Sequence, residues 1–403
     1  MNPINASDQF VEERLLLCTT EAQFGLIDPH VVLKFLEQHV NWQALIRLAR
    51  QNKILPLLNC VLGSLEKEIV PQAISQSLQS SVQIIAQFNL LCLSELAGLA
   101  ELLRHASISF LPLKGPVLAQ QLFGNIALRQ FSDLDILVKR NDVGKSAEIL
   151  MLRGYRLLVP RKNFSSYDLA RLVPYLGSYH IVFHHPEKNV TVELHWRLGA
   201  MDRQFPIEGS ALWDNLASVD IGGTAFPTFA SEDLILYLFI HGSKDQWKRL
   251  SWLADVAAFM KQYRDIDWEA VRTKAKKIGN LRPVLLGIFL ANQKLEIPIP
   301  WAFKRDVARE RVKLERMANQ SLLFRVDKAR SGLSEIRYLI GLRQGLSPKG
   351  RAVVEYVFVP RATTCNVLRL PPRLFPVYFF LRPVELFSQY ILQRSFADLV
   401  RRD

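Results

Sequence analysis

Two aspartates separated by one residue, Asp133 and Asp135, lie in the stretch Asp133-Leu134-Asp135-Ile136-Leu137-Val138. The apolar residues around them read as a β-strand, and side chains alternate faces along a strand, so the two carboxylates point the same way a few ångströms apart. Like charges that close repel unless a cation lies between them. Hard oxygen donors at that separation suit Mg²⁺ or Mn²⁺, with phosphate oxygens and water completing the coordination. A third carboxylate comes from Val190-Thr191-Val192-Glu193-Leu194-His195-Trp196, where Thr191, Glu193 and His195 share one face and the apolar residues share the other. If the two strands lie side by side, Asp133, Asp135 and Glu193 can hold two cations, one gripping a triphosphate and one activating an attacking hydroxyl. Taken alone, each carboxylate also fits a solvated strand surface, and the combination is what carries the reading.

A third element precedes both strands. Lys114-Gly115 stands between the strand-like run Ile108–Leu113 and a helix opened by Pro116. Gly115 lets a ligand approach the backbone closely, the helix start offers free N–H groups to phosphate, and Lys114 adds a point charge. Weaker candidates surround this set. Arg129 could reach a phosphate, or be an ordinary surface arginine. His195 could orient a carboxylate or touch substrate, and His241 and Lys244, at a helix end, could face a cleft. His180, His184 and His185 invite a zinc reading, but no second ligand cluster follows at zinc-site spacing. Asp255 is expected to bond locally, and Trp247 and Trp252 to serve packing.

The elements that must position these groups follow from patterning. Residues 8 to 105 read as helical. Short β-like runs begin at Ile108 and alternate with helices: a strand over 134–138, a helix over 141–152 capped by Asn141 or Asp142, a strand after Gly154, and a hairpin of 178–185 with 189–196. Helices resume at Ser231, with Ser231 as cap and Gly242 as terminator of the first, and a second over about 245–262. The expected organisation is an N-terminal helical region (1–105), an αβ core (106–230), a helical domain (231–345) and a basic aromatic tail (346–403). The fold class is α+β.

In combination these segments resemble the DNA polymerase β-type nucleotidyltransferase superfamily, whose signature is a glycine motif after a strand, then hDhDh, then a later hDh or hEh. More narrowly, PLKGPVLAQQLFG, LRQFSDLDILV, the helix ending RGY, VTVELHW, His241-Gly242 and KRLSWLADV resemble a group of uncharacterised bacterial nucleotidyltransferase family proteins, over roughly residues 80 to 300. The resemblance implies a nucleotidyltransferase-like αβ core with a mixed sheet, flanked by N-terminal and C-terminal helical regions. It implies Asp133 and Asp135 as metal ligands and Glu193 as ligand or general base. The reaction would move an NMP from an NTP, expected to be ATP, to a small-molecule, peptide or glycan acceptor. Where the wider superfamily usually has Gly-Gly or Gly-Ser, this chain has Lys114-Gly115, which adds an ammonium and removes a small residue or hydroxyl. The competing reading is a catalytically inactive protein that binds nucleotide or a membrane surface.

Composition bounds the rest. With 403 residues, 49% hydrophobic and 22% charged, the chain can bury a substantial core, which excludes general disorder. Its 51 basic and 38 acidic residues leave a net charge of +13, which favours anionic partners. From Gly341 onward ten Lys/Arg and four Asp/Glu interleave with aromatic residues, so the tail could touch anionic membrane. No specific nucleic-acid motif accompanies it. Four scattered cysteines without a CxxC pair form neither a disulfide framework nor a zinc cage. No secretory signal or uninterrupted membrane-spanning run is expected, and a cytoplasmic setting, with contact at the inner membrane face, fits these features.

Overall fold

A computed structural model describes residues 8–65, 69–160, 164–198, 210–325, 332–366 and 370–390. The fold is α+β, with a mixed five-stranded sheet, a two-stranded ribbon and many helices. Two compact units interleave along the chain. One comprises Met1–Leu91, Leu118–Phe131 and Ala230–Arg330; the other comprises Cys92–Val117, Ser132–Phe229 and Ser331–Asp403.

The first unit is helical. Asn41 caps the helix Trp42–Gln51 by accepting from the Ala44 N–H at 3.0 Å, and Leu45, Leu48 and Ala49 turn one face of it inward. The helix Ser231–Lys244 departs from the sequence expectation at both ends. The Ser231 hydroxyl donates to Glu232 rather than capping, and the helix runs through Gly242. Glycine is needed there for packing: a Cβ at Gly242 would lie 2.6 Å from the fully buried ring of Trp247. That ring is fixed by its Nε1–H, which donates to Ser243 Oγ at 3.1 Å, while the Ser243 hydroxyl donates to the Pro283 carbonyl at 2.7 Å.

The second unit carries the sheet. Its strands are β1 (Phe110–Pro112), β2 (Leu134–Val138), β3 (Arg156–Val159), β4 (His180–His185) and β5 (Val190–His195), in the order β1-β2-β5-β4-β3. Only β2 and β5 pair in parallel; the other neighbours are antiparallel. The ribbon pairs β6 (Leu216–Ile221) with β7 (Thr224–Phe229). The helix Val143–Leu152 forms as expected, but Asn141 and Asp142 belong to a preceding 3₁₀ turn and Asp142 makes no capping bond.

The described part of the tail packs on this sheet unit. Phe375 is fully buried, edge-on to Phe164 and Tyr175. The Gly177 N–H donates to the Pro360 carbonyl at 2.8 Å, and a Cβ at Gly177 would lie 2.8 Å from Val359. Residues 391–403 of the expected tail lie outside the described residues.

Among the described residues one helix, Gln72–His105, is long and apolar enough by length and composition to cross a membrane, with Gln, Ser and Asn interrupting its apolar run. Asn89 on that helix donates to the carbonyls of Ile126 and Arg129 at 2.7 and 2.9 Å.

Candidate active site

The centre of the five-stranded sheet is where the chemistry-bearing side chains meet. The β2/β5 register places Asp135 opposite Glu193 and Leu137 opposite His195. On β5, Val190, Val192 and Leu194 are buried while Thr191 and Glu193 are half-buried, the alternation expected from the sequence; His195 departs from it and is 4% exposed. Its Nε2 lies 3.0 Å from Asp135 Oδ1 and 3.2 Å from Glu193 Oε2. Asp135 is itself only 6% exposed, and its Oδ2 is 3.6 Å from Lys114 Nζ.

Burial pushes the His195 imidazole towards its neutral form, but hydrogen bonds to Asp135 and Glu193, together with their charges, outweigh it and hold His195 above the ordinary imidazole value. Lys114 and His195 are the groups that set N–H donors against the two carboxylates.

Lys114 stands at the junction of β1 and the helix Gly115–Phe123. The Leu113 N–H donates to the Asp135 carbonyl at 2.9 Å, which binds this junction to β2. Gly115 has φ +65°, where an L side chain is strained, and a Cβ there would touch Leu134 at 3.6 Å. Asp133 occupies the residue before β2, half-buried, and accepts from the Ser132 hydroxyl at 3.0 Å.

The remaining sequence candidates belong to the helical unit. Arg129, read as a phosphate contact or a surface arginine, is neither exposed nor solvated: it is 6% exposed and makes a bidentate pair with Asp255, Nε to Oδ1 at 2.8 Å and Nη2 to Oδ2 at 2.9 Å. Asp255 was expected to bond locally, and its partner instead comes from far along the chain. Such a pair is satisfied by planar, two-point geometry that sequence distance does not reveal. His241 stacks on Tyr237, meets Trp252 edge-on and lies 3.7 Å from Asp245; Lys244 is half-buried on the last turn of the same helix.

One residue that sequence reading set aside does join the sheet cluster. His180 is the register partner of His195 across β4 and β5, with its Nε2 3.7 Å from Glu193 Oε2. Hairpin arithmetic could have found it: His185 pairs with Val190, and counting five residues away from the turn along each strand reaches His180 and His195. His184 and His185 go elsewhere, to Thr191 and to Tyr155 respectively.

One buried and two half-buried carboxylates, a lysine beside a glycine junction and a parallel strand pair form a site able to bind a cation and an anionic group together. A comparison with curated proteins finds no match. A family model described as uncharacterised nucleotidyltransferase matches residues 38–296, which span the sheet cluster and most of the helical unit.

Proposed function

Because the chain belongs to that family of uncharacterised nucleotidyltransferases, we propose that it is a metal-dependent enzyme moving an NMP from an NTP, with ATP as the donor, to an acceptor hydroxyl or equivalent nucleophile. The observation that carries this reading is the β2/β5 register, which sets Asp135 beside Glu193 with Lys114 against Asp135.

The donor set fits a hard divalent cation: carboxylate oxygens of Asp135 and Glu193 on neighbouring strands, with Asp133 one position before β2. Asp133, Asp135 and Glu193 would hold Mg²⁺ or Mn²⁺, which when bound neutralises phosphate charge and acidifies the acceptor. The chain's own groups do the rest. Lys114 places an ammonium against the phosphates, and the helix that Gly115 opens offers them its free N–H groups. Glu193 accepts the acceptor's proton. The acceptor oxygen then bonds to the α-phosphorus, the α–β bridging bond breaks, and pyrophosphate leaves with the electron pair. His195 orients Asp135 through the 3.0 Å contact.

The test incubates the full chain with α-labelled ATP, GTP, CTP and UTP, Mg²⁺ or Mn²⁺, and host extract, beside the Asp133→Asn/Asp135→Asn double variant. Label on an acceptor only with intact aspartates supports transfer and delivers the acceptor for mass spectrometry. NTP binding without transfer favours an inactive binding protein, and no NTP binding rejects the nucleotide reading.

A specific observation favours a second role for the tail. On the helix Tyr378–Tyr390, Phe380, Val384 and Phe387 are 78, 47 and 52% exposed at i, i+4, i+7 spacing, one apolar stripe facing solvent. Set in a basic segment, that stripe suits the surface of an anionic membrane. Co-sedimentation with phosphatidylserine vesicles that is lost in Phe380→Ser/Phe387→Ser supports it; equal sedimentation of both proteins rejects it.

A further inference from the structure

The strand β5, whose pairing with β2 sets Glu193 beside Asp135, pairs on its other edge with β4 and there brings two imidazoles together. His180 and His195 face each other across the β4/β5 hairpin, their ring centroids 4.9 Å apart and their planes tilted by 36°. The Nε2 atoms of both rings converge on a single oxygen, Glu193 Oε2, at 3.7 Å from His180 and 3.2 Å from His195. One ligand atom from each of the three residues lies within 4.8 Å of the others. Two imidazole nitrogens and a carboxylate oxygen bound to one zinc-like ion at about 2.0–2.2 Å stand about 3 to 3.5 Å apart. The antiparallel ladder fixes the three backbone positions, and the distances to Glu193 Oε2 are already close to that spacing.

The donor chemistry separates this set from the aspartates. Mg²⁺ takes oxygen ligands, whereas imidazole selects zinc and its neighbours in the first transition row. Two histidines and one glutamate form a three-ligand set that leaves a position open for water or substrate. Its buried side is closed by His195; Asp135 Oδ1, 3.0 Å from the His195 nitrogen, and Lys114 beyond it border it towards β2.

We propose that His180, Glu193 and His195 form a two-histidine, one-glutamate centre for a zinc-class divalent cation. The centre shares Glu193 with the transfer site proposed above, but its occupation requires neither nucleotide nor turnover.

The test uses the full-length chain, stripped of metal and titrated with Co²⁺ as an optical probe, then with Zn²⁺ in competition. Zinc-edge X-ray absorption on the Zn²⁺-loaded wild-type chain is expected to show two imidazole ligands, and His180→Ala, which removes a direct ligand, is expected to weaken Co²⁺ binding by at least the roughly 10- to 100-fold that losing an outer-shell partner costs. His184→Ala, which removes a histidine of the same strand outside the cluster, is expected to bind Co²⁺ as the wild type does. An all-oxygen shell around zinc, or unchanged affinity in folded His180→Ala, overturns the proposal. Should His180→Ala fail to fold, the wild-type absorption spectrum decides alone. Because no nucleotide is present, label transfer without a nitrogen-ligated cation would sink this centre and leave the transferase reading standing, and the converse result would do the reverse.

Discussion

Two charge clusters, one in each unit, are built on opposite principles. In the helical unit, Arg129 and Asp255 match two donors to two acceptors, and the guanidinium keeps its charge at any pH a protein survives. In the sheet unit, Asp135 and Glu193 face Lys114 and two imidazoles whose charge depends on protons. The first cluster is closed and has no reason to take up a ligand. The second holds more acidic than permanently cationic groups, so a bound cation can take over the compensation. Burial and ion pairing alone therefore do not mark a site; what separates the two is whether the charges are balanced by groups that cannot leave.

The largest expected effect tests the closed pair. Asp255→Ala leaves a guanidinium buried without its carboxylate and should cost about 3–5 kcal/mol in urea unfolding, while Arg129→Met/Asp255→Leu recovers most of it. A cost below about 1 kcal/mol for Asp255→Ala would show that the pair is not closed in solution.

Next comes the open cluster. Asp135→Asn should lower label transfer by about a hundredfold, or about 2.8 kcal/mol, with a much smaller change in unfolding free energy. A large stability loss with full activity would reverse the contrast drawn between the two clusters.

A second closed network in the sheet unit sharpens the comparison. Glu95 receives Lys188 at 2.6 Å and the Tyr155 hydroxyl at 3.1 Å, with Arg153 at 3.7 Å. Burial raises its carboxyl, but the bonds from Lys188 and Tyr155 and the charges of Lys188 and Arg153 prevail and hold it below the ordinary value. Its contribution is therefore complete above the unfolded value, about 4.3, and is lost as pH falls through the lower folded one. Glu95→Gln should cost about 2 kcal/mol at neutral pH and flatten the acid limb of a stability–pH curve. An unchanged acid limb would show that Glu95 gains nothing from being charged.

The smallest effect concerns Gly115. Alanine at φ +65° should cost about 1–2 kcal/mol in urea unfolding, and weaker NTP binding measured by calorimetry should accompany it. Normal NTP affinity in a folded Gly115→Ala chain would remove the β1–helix junction from the phosphate site.

Much of the local structure was legible because its signals are local. The alternation in Thr191-Val192-Glu193-Leu194 announces a half-buried strand, Pro186-Glu187-Lys188 announces the hairpin turn, and Gly154 ends a helix before a strand. Where local signals misled, packing had overridden them. Gly242 looks like a terminator, but it is a small residue under Trp247; Ser231 looks like a cap, but it turns to Glu232. Gln72 to Arg104 reads as a long apolar-rich segment, and the polar residues spaced along it keep that segment from being an unbroken apolar run.

The amino-acid sequence alone determined the ingredients: a DxD strand, a later strand with Glu193 and His195, a Lys-Gly junction, and the family they belong to, because each is written in a few consecutive residues. The tertiary structure decided which of them meet. Parallel pairing of β2 with β5 joins segments with no short connection, and only that pairing puts Asp135 beside Glu193 and within reach of His195. The same holds for Arg129, whose fate depended on Asp255, and for His180, which became a neighbour of Glu193 only through the register of its hairpin. Residue type and spacing specify what a side chain can do; long-range pairing, which no local pattern encodes, specifies with whom.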